Sequence, residues 1–277
     1  MPKVKLVITD LDGSLLNSES MISENDQETL RSLGHDDVIR VIATGRNLYS
    51  TEMVLKKNPE IDFAIISTGL GIIDFHNHEL IKSHHLEQTE VKYLVEFLLA
   101  ENVDFMVHDI LPDNHFVACH DANNCHPDFF LRWSWYKDFA SNLDLNLNKL
   151  KKASQMIAFF PHNTSRIAEI RRKLPGFHVI RTTSPINGHY DWMEIFPKNV
   201  SKGHALLWIC DRLNIDISNT LCLGNDYNDL DMLRVAGRSF VTENAPDDIK
   251  QEFPVTVSND EDPLTEIIRS INGKQEN

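Results

Sequence analysis

Val4-Lys5-Leu6-Val7-Ile8-Thr9-Asp10-Leu11-Asp12-Gly13-Ser14-Leu15-Leu16 is the stretch from which the rest of the chain can be read. An apolar run ends in two aspartates one residue apart, then a glycine and a hydroxyl. Carboxylates at the carboxyl end of a buried strand stand where open α/β sheets place their ligands. Two acids that close repel each other, so they need a cation or a shared proton. Hard oxygen ligands of this kind suit Mg²⁺. For so short a string, a strand followed by an acidic turn is the plain alternative.

Three later segments bear on that choice, in a fixed order. Val41-Ile42-Ala43-Thr44-Gly45-Arg46 ends a second apolar strand. Val200-Ser201-Lys202-Gly203-His204-Ala205 opens a helix. Leu221-Cys222-Leu223-Gly224-Asn225-Asp226-Tyr227-Asn228-Asp229 ends another strand. Each alone reads as an ordinary strand end or helix cap. Together they supply acids, a hydroxyl, a lysine and a second acidic cluster. In content and order the chain resembles the haloacid dehalogenase-like phosphohydrolase superfamily, in the Cof-type branch with a class IIB cap. The resemblance runs from Asp10 to Asp229 and so spans most of the chain.

Asp10 is the candidate nucleophile, since a carboxylate can attack phosphorus to give an acyl phosphate. The resemblance implies that it ligates Mg²⁺ as well. Asp12, on the same side of an extended chain, is placed as general acid and base. The resemblance adds its backbone carbonyl to the metal shell. Threonine stands at this second position in ion-pumping ATPases, so aspartate favours hydrolysis or mutase chemistry. Gly13 permits close approach of phosphate to backbone. Ser14 replaces the family's usual threonine and keeps the hydroxyl.

Thr44 and Gly45 are placed at the phosphoryl group, with a helix-entry cap as Thr44's other reading. Arg46 either holds phosphate or lies on the surface. Lys202 is placed to neutralise phosphate oxygens and Asp10. Its position in a first helical turn opposes the helix dipole, a local conflict of the sort functional sites produce. Asp226 is expected to complete the Mg²⁺ shell and Asp229 to ligate through water or orient it. Asn225 and Asn228 are placed on phosphate, Asn228 with Lys202 as its alternative partner. Strand-to-helix capping accounts for one or two of these polar residues, less easily for four. Asn244 matches a further family position near the site, or caps the helix expected at 246–252. One departure concerns substrate positioning: Ser67-Thr68-Gly69-Leu70 stands where relatives often have Asn-Gly-Ala, and a Thr68 hydroxyl lacks amide geometry.

Composition narrows the function classes. At 277 residues the chain suits one large or two modest domains. No apolar run approaches the roughly 20 residues of a membrane span. The sequence passes from Met1-Pro2-Lys3 straight into a strand, which leaves no room for a signal peptide, and a cytoplasmic location is expected. A net charge of −14 argues against nucleic-acid or anionic-membrane partners. An acidic chain must bind phosphate locally, through a metal, a lysine and backbone N–H groups. The four cysteines do not read as a disulfide framework. Cys210 and Cys222 read as small core residues. Cys119-His120 and Cys125-His126 carry zinc-ligating side chains, but their spacing matches no common zinc pattern; they read as a loop and helix start before Pro127.

The order strand 4–9, helix 24–33, strand 38–43, helix 47–57, strand 63–67 implies βαβ units and a parallel sheet. Ser23 and Asp26 mark the first helix start. A hairpin over 72–75 and 80–82 follows. Residues 83–185 read differently, as strands and helices of a separate α+β module. Strand 190–196 is expected to resume the core, followed by helix 201–214, strand 219–223, helix 228–236 and strand 239–242. The expected organisation is therefore a doubly wound, Rossmann-like α/β core over 1–82 and 186–277, with a substrate-selecting α+β cap at 83–185. The expected activity is Mg²⁺-dependent hydrolysis of a small phosphorylated metabolite, a sugar or polyol phosphate, through phospho-Asp10. A sugar-phosphate mutase, or a non-catalytic sensor of a phosphometabolite, uses the same residues. Oligomeric state is not legible in the sequence.

Overall fold

The computed structural model describes residues 3–55, 60–124, 126–162, 164–184 and 188–273. The described residues first form β1 (Leu6–Thr9), α1 (Glu24–His35), β2 (Ile39–Ala43), α2 (Leu48–Leu55), β3 (Phe63–Ile66), β4 (Gly71–Asp74) and β5 (Glu79–Ser83). Next come α3 (Gln88–Ala100), β6 (Phe105–His108), β7 (Val117–His120), α4 (Pro127–Trp135), β8 (Ala140–Asn142) and β9 (Met156–Pro161). They are followed by α5 (Arg166–Lys173), β10 (Phe177–Thr183) and β11 (Tyr190–Pro197). The chain ends with α6 (Lys202–Leu213), β12 (Thr220–Gly224), α7 (Leu230–Val235), β13 (Arg238–Val241), α8 (Asp247–Glu252) and α9 (Pro263–Gly273).

Two compact units result: Met1–Lys82 with Ser201–Asn277, and Ser83–Val200. The first is built on a seven-stranded sheet of order β13-β12-β1-β2-β3-β4-β5. Strands β13, β12, β1, β2 and β3 run parallel, and β4 pairs antiparallel with β3. Alternate residues of β1 face opposite layers. Leu6 and Ile8 pack with α6, α7 and α8 side chains such as Leu206, Leu233 and Ile249. Val7 packs with Leu30 and Leu33 of α1 and Ile267 of α9. Burying each such aliphatic side chain stabilises by about 1.5–3 kcal/mol. Both faces of the sheet are thus covered, which is why the parallel strands read as unbroken apolar runs. Ser23 caps α1, its hydroxyl accepting from Asp26 N at 3.1 Å.

The chain leaves β1 toward β2 and β3, and later returns to place β12 on the other side of β1. The gap between β1 and β12 is therefore the topological switch point, where such sheets bind ligands beyond their strand ends.

The second unit holds a six-stranded sheet of order β10-β11-β9-β6-β7-β8. All its pairs are antiparallel except β7 with β8. Phe105, Ala158, Met193 and Ile195 face α3 and α5, while Met106, Ile157, Phe159 and Trp192 face Phe129 of α4. Here the structure departs from the sequence expectation. The strand expected at 190–196 to restart the parallel core is β11, which pairs with β10 and β9 instead. The core segment resumes at Ser201 rather than at 186. β11 is buried over six consecutive residues, which suits a central strand of either sheet; the short return from β10 decides for the hairpin.

Candidate active site

The carboxyl ends of β12, β1 and β2 bring the four motifs together. Asp10 follows β1 directly, its backbone N donating to Leu223 O of β12 at 2.9 Å. The residue is nearly buried, at 5% exposure. Lys202, the first residue of α6, is wholly buried. Its Nζ donates to Asp10 Oδ1 at 2.5 Å and to Asp229 Oδ1 at 2.6 Å. Asp229 Oδ2 accepts from the backbone N–H groups of Asn225 (2.8 Å) and Asp226 (3.1 Å). One ammonium thus serves two buried carboxylates, and the second of these is fixed by the turn that carries it. Burial alone would lower the Lys202 pKa, but Asp10 and Asp229 outweigh it and hold the ammonium above the usual lysine range. Burial pushes the Asp10 carboxyl well above the carboxylate range; Lys202 pulls it down, while Asp229 and Asp12 push it further up. The trio carries one negative charge more than it can balance.

Asp12 is more open, with its side chain 45% exposed. Arg46 grips it in two parallel bonds, Nε to Oδ2 at 2.7 Å and Nη2 to Oδ1 at 2.6 Å. Thr44 is buried, and its hydroxyl accepts from Arg46 N at 3.0 Å. Gly13 adopts φ +77°, and a Cβ there would lie 2.4 Å from the Asn225 amide. Glycine is therefore required on two grounds, conformation and room. The Gly13 carbonyl accepts from Thr242 Oγ1 (3.0 Å) and Asn244 Nδ2 (2.8 Å), which pins the loop after Asp12. A Cβ on Gly45 would stand 3.5 Å from Asn228 Nδ2.

The Asn225 side chain reaches across to the first motif. With its amide nitrogen toward the acids, it donates to Asp10 Oδ2 at 3.3 Å and to the Asp12 carbonyl oxygen at 3.0 Å. With its oxygen toward them, it accepts from the Ser14 hydroxyl at 3.3 Å and three acceptor oxygens converge. No group of three His, Cys, Asp or Glu side chains suited to a metal occurs among the described residues. A cation here would draw on mixed donors: the Asp10 carboxylate, the Asp12 carbonyl and the Asn225 amide oxygen. These hard oxygens and the uncompensated charge on Asp10 fit Mg²⁺.

A family model described as haloacid dehalogenase-like hydrolase matches residues 7–268. The chain belongs to that family. It is 26% identical over 286 residues to the 5-amino-6-(5-phospho-D-ribitylamino)uracil phosphatase of Bacillus subtilis, across 96% of this chain and 97% of that one. Two solved structures share the fold. One is a haloalkanoate-superfamily phosphatase from Bacteroides thetaiotaomicron, with TM-score 0.80, 19% identity and 98% and 96% of the two chains covered. The other is a subclass IIB sugar phosphatase, with TM-score 0.76, 21% identity and 97% and 99% covered.

Within this haloacid dehalogenase-like hydrolase, Asp10, Asp12, Thr44, Arg46, Lys202 and Asp229 lie at one end of one sheet. The structure places four of the expected site residues as follows. Asp229, expected to ligate through water or to orient the metal shell, is the second carboxylate partner of Lys202, held there by two backbone donors. Asp226 was expected to complete the metal shell; its carboxylate accepts from Tyr227 N at 2.8 Å and closes a capping box with Asp229. The side chain that faces Asp10 and Asp12 is Asn225, expected on phosphate. Asn244 does not cap the helix after it, because the N-cap of α8 is Pro246; it holds Gly13. Thr242 joins it in that bond and had no sequence signal beyond a strand-end hydroxyl.

In the second unit, Cys119 is buried in a core cluster, and burial pushes its thiol up to about 12. His120 packs on Phe105 with centroids 5.0 Å apart, and Cys125 lies outside the described residues. Trp133, partly buried, packs edge-on against Phe129 (5.4 Å). The Arg132 guanidinium carbon stands 5.0 Å from both the Tyr136 and Trp192 ring centroids. Among the described residues, no helix is long and apolar enough to cross a membrane.

Proposed function

We propose that this hydrolase is a Mg²⁺-dependent phosphatase for a small phosphorylated metabolite, a sugar or polyol phosphate. The observation that carries the reading is the Asp10–Lys202–Asp229 trio beside the Asp12–Arg46 pair, at the switch point of the sheet. It supplies a nucleophile, a fixed buried cation and a second carboxyl group two residues away.

The Asp10 carboxylate attacks phosphorus, and the bond from phosphorus to the ester oxygen breaks. Asp12, which takes up a proton from solvent once the ester's phosphate draws Arg46 away from it, gives that proton to the departing oxygen. Asp12 then takes a proton from water, whose oxygen attacks the phosphorus of phospho-Asp10, and the bond to Asp10 breaks to release phosphate. Lys202 stays protonated throughout and offsets charge on Asp10 and on phosphoryl oxygens. Arg46 holds the Asp12 carboxylate in one orientation until the ester arrives. Asp10, the Asp12 carbonyl and Asn225 are the groups that would hold Mg²⁺, with Asp226 close in sequence. Bound there, the metal supplies charge neutralisation at the phosphoryl oxygens. Thr44 and Gly45, with the Asn228 amide beside them, form the phosphate-binding rim. Residues 83–200 act as the cap that selects the substrate.

The substrate class rests on the resemblance to the Bacillus relative, whose name places the phosphate on a ribityl chain, and to the subclass IIB sugar phosphatase. A phosphate-release screen over phosphorylated metabolites, with Mg²⁺ and with chelator, tests the reading. Release from at least one sugar or polyol phosphate is expected, dependent on Mg²⁺ and lost in Asp10→Asn by orders of magnitude. Near-normal turnover by Asp10→Asn, or full activity in chelator, would overturn it.

A further inference from the structure

Between β3 and β4 the chain passes through three consecutive left-handed residues: Ser67 (φ 46°), Thr68 (φ 58°, ψ 24°) and Gly69 (φ 106°). Glycine suits that region and asparagine tolerates it; a β-branched residue there is an outlier. The neighbours fix the turn regardless. Ser67 N donates to Arg46 O at 2.8 Å, and Thr68 N to Thr44 O at 2.9 Å. A Cβ on Gly69 would lie 2.4 Å from the Ser201 carbonyl oxygen. The turn is therefore held between the Thr44–Arg46 loop and the residue before Lys202.

The Thr68 side chain is wholly buried, and its hydroxyl has no hydrogen-bond partner. Two costs thus fall on one residue, a strained backbone and an unpaired buried hydroxyl. Neither serves packing: valine would fill the same volume without the hydroxyl, and asparagine or glycine would suit the turn. Costs of this kind persist where the surroundings impose them, and they gather at functional sites. The position of the hydroxyl is informative. It lies 3.7 Å from where a Gly45 Cβ would stand, and Asn228 Nδ2 lies 3.5 Å from the same point. Two donors of different kinds flank the one residue that Thr44 and Arg46 bracket.

We propose that the Thr68 hydroxyl is a phosphate-binding group, donating to a phosphoryl oxygen beside the Asn228 amide. The inference rests on the phosphatase reading above and assigns one more side chain to its substrate. No bond is made or broken at Thr68. The hydroxyl is kept without a protein partner so that the ligand can become its partner.

Two variants test this. Thr68→Val keeps the β-branch and the backbone strain and removes only the donor. Thr68→Ser keeps the donor. Binding of inorganic phosphate in Mg²⁺ is measured by calorimetry, and the melting temperature is measured without phosphate. A lost hydrogen bond to an anion should weaken phosphate binding by Thr68→Val roughly tenfold or more. Its phosphate-free melting temperature should match or exceed the parent's, because a buried unpaired hydroxyl has gone. Thr68→Ser should bind phosphate as the parent does. Parent-like phosphate affinity in Thr68→Val would overturn the assignment. So would a fall in its phosphate-free melting temperature that accounts for the weaker binding, since that marks a structural role. A parent chain that binds no phosphate and releases none from any ester would instead overturn the phosphatase reading itself.

Discussion

Lys202→Met removes one buried charge while nearly keeping the length of the side chain. In the parent its Nζ sits 2.5 Å from Asp10 Oδ1 and 2.6 Å from Asp229 Oδ1, with the two carboxyl side chains 7% and 0% exposed. The variant leaves those carboxylates facing each other without a cation. Removing one member of a buried ion pair costs about 3–5 kcal/mol. Two pairs share this lysine, but effects within one network do not add, so the single-pair range applies. In a chain of this size each kcal/mol moves the melting temperature by roughly 2–4 °C. The metal-free variant should therefore melt about 6–20 °C below the parent at pH 8. The pH dependence carries the diagnosis. In the parent the Lys202 pKa is raised above its unfolded value, so its contribution is fully present below that value and constant from pH 5 to 8. In the variant one proton shared by Asp10 and Asp229 relieves the repulsion. The folded variant then binds more protons than the unfolded chain, and its deficit shrinks as pH falls from 8 to 5. Adding Asp229→Asn removes one of the two charges and should restore part of the loss at pH 8. Scanning calorimetry in chelator, at both pH values, on parent, singles and double measures each of these terms. Parent-like melting of Lys202→Met at pH 8, or a deficit that ignores pH, would refute the view that this lysine balances two buried carboxylates.

Asn225→Asp places a second carboxylate against Asp10 Oδ2 and the Asp12 carbonyl oxygen; it should lower metal-free stability and raise Mg²⁺ affinity by about tenfold, since ligand charge tunes such sites, and unchanged affinity by titration calorimetry would count against Asn225 as the cation-facing group. His108 is held down to about 3 by burial first and Arg132 second. Its contribution is fully present above the unfolded value near 6.5 and is lost toward pH 3 at about 1.4 kcal/mol per pH unit. Denaturant melts of the second unit between pH 7 and 5 should show that slope, and His108→Gln should flatten it. Exchanging residues 83–200 for the corresponding unit of a relative should reorder kcat/KM across a sugar-phosphate panel while a small aryl phosphate is still hydrolysed slowly; an unchanged order would remove the second unit from substrate selection.

The parallel core was legible because its strands carry a physical signature. Val7 and its neighbours on β1 are buried on both faces, so the run is continuously apolar and ends where the ligand-facing residues begin. The same signature misled at β11. Trp192 to Phe196 is mostly apolar despite Glu194, and burial alone cannot say which of two sheets covers a strand. What decides is partnership across a turn, and pairing is a long-range property that no local window contains. At the site, residue types and their order were legible, but side-chain direction was not. In Gly224-Asn225-Asp226-Tyr227-Asn228-Asp229 an acid next to an amide gives no sign of which one faces inward. In the turn, the Asp226 carboxylate accepts N–H bonds of its own cap, while the Asn225 side chain reaches Asp10. Thr68 was noticed as a departure in residue type, whereas the strain that makes it informative exists only in the folded backbone.

Charge bookkeeping at the site explains how a chain of net charge −14 can receive a phosphate ester. Asp12 and Arg46 cancel, and Lys202 cancels one of Asp10 and Asp229, which leaves one negative charge. An incoming phosphate monoester brings close to two more at neutral pH. No further lysine or arginine bonds to Asp10 or Asp229 among the described residues, so the surplus must be met by a cation, by a proton or by neutral donors. Burial, which raises the Asp10 carboxyl, favours the proton route when no cation is present. That route, however, disables the nucleophile, because a protonated carboxyl group cannot attack phosphorus. On the proposed reading, a divalent cation beside Asp10 would meet the surplus and keep the carboxylate ionised, while neutral donors such as the Thr44 and Thr68 hydroxyls and the Asn228 amide would add binding without adding charge. On the phosphatase reading, the acidity of the chain and the neutrality of these donors are two sides of one requirement: a bound cation would supply the positive charge that the site's own residues lack.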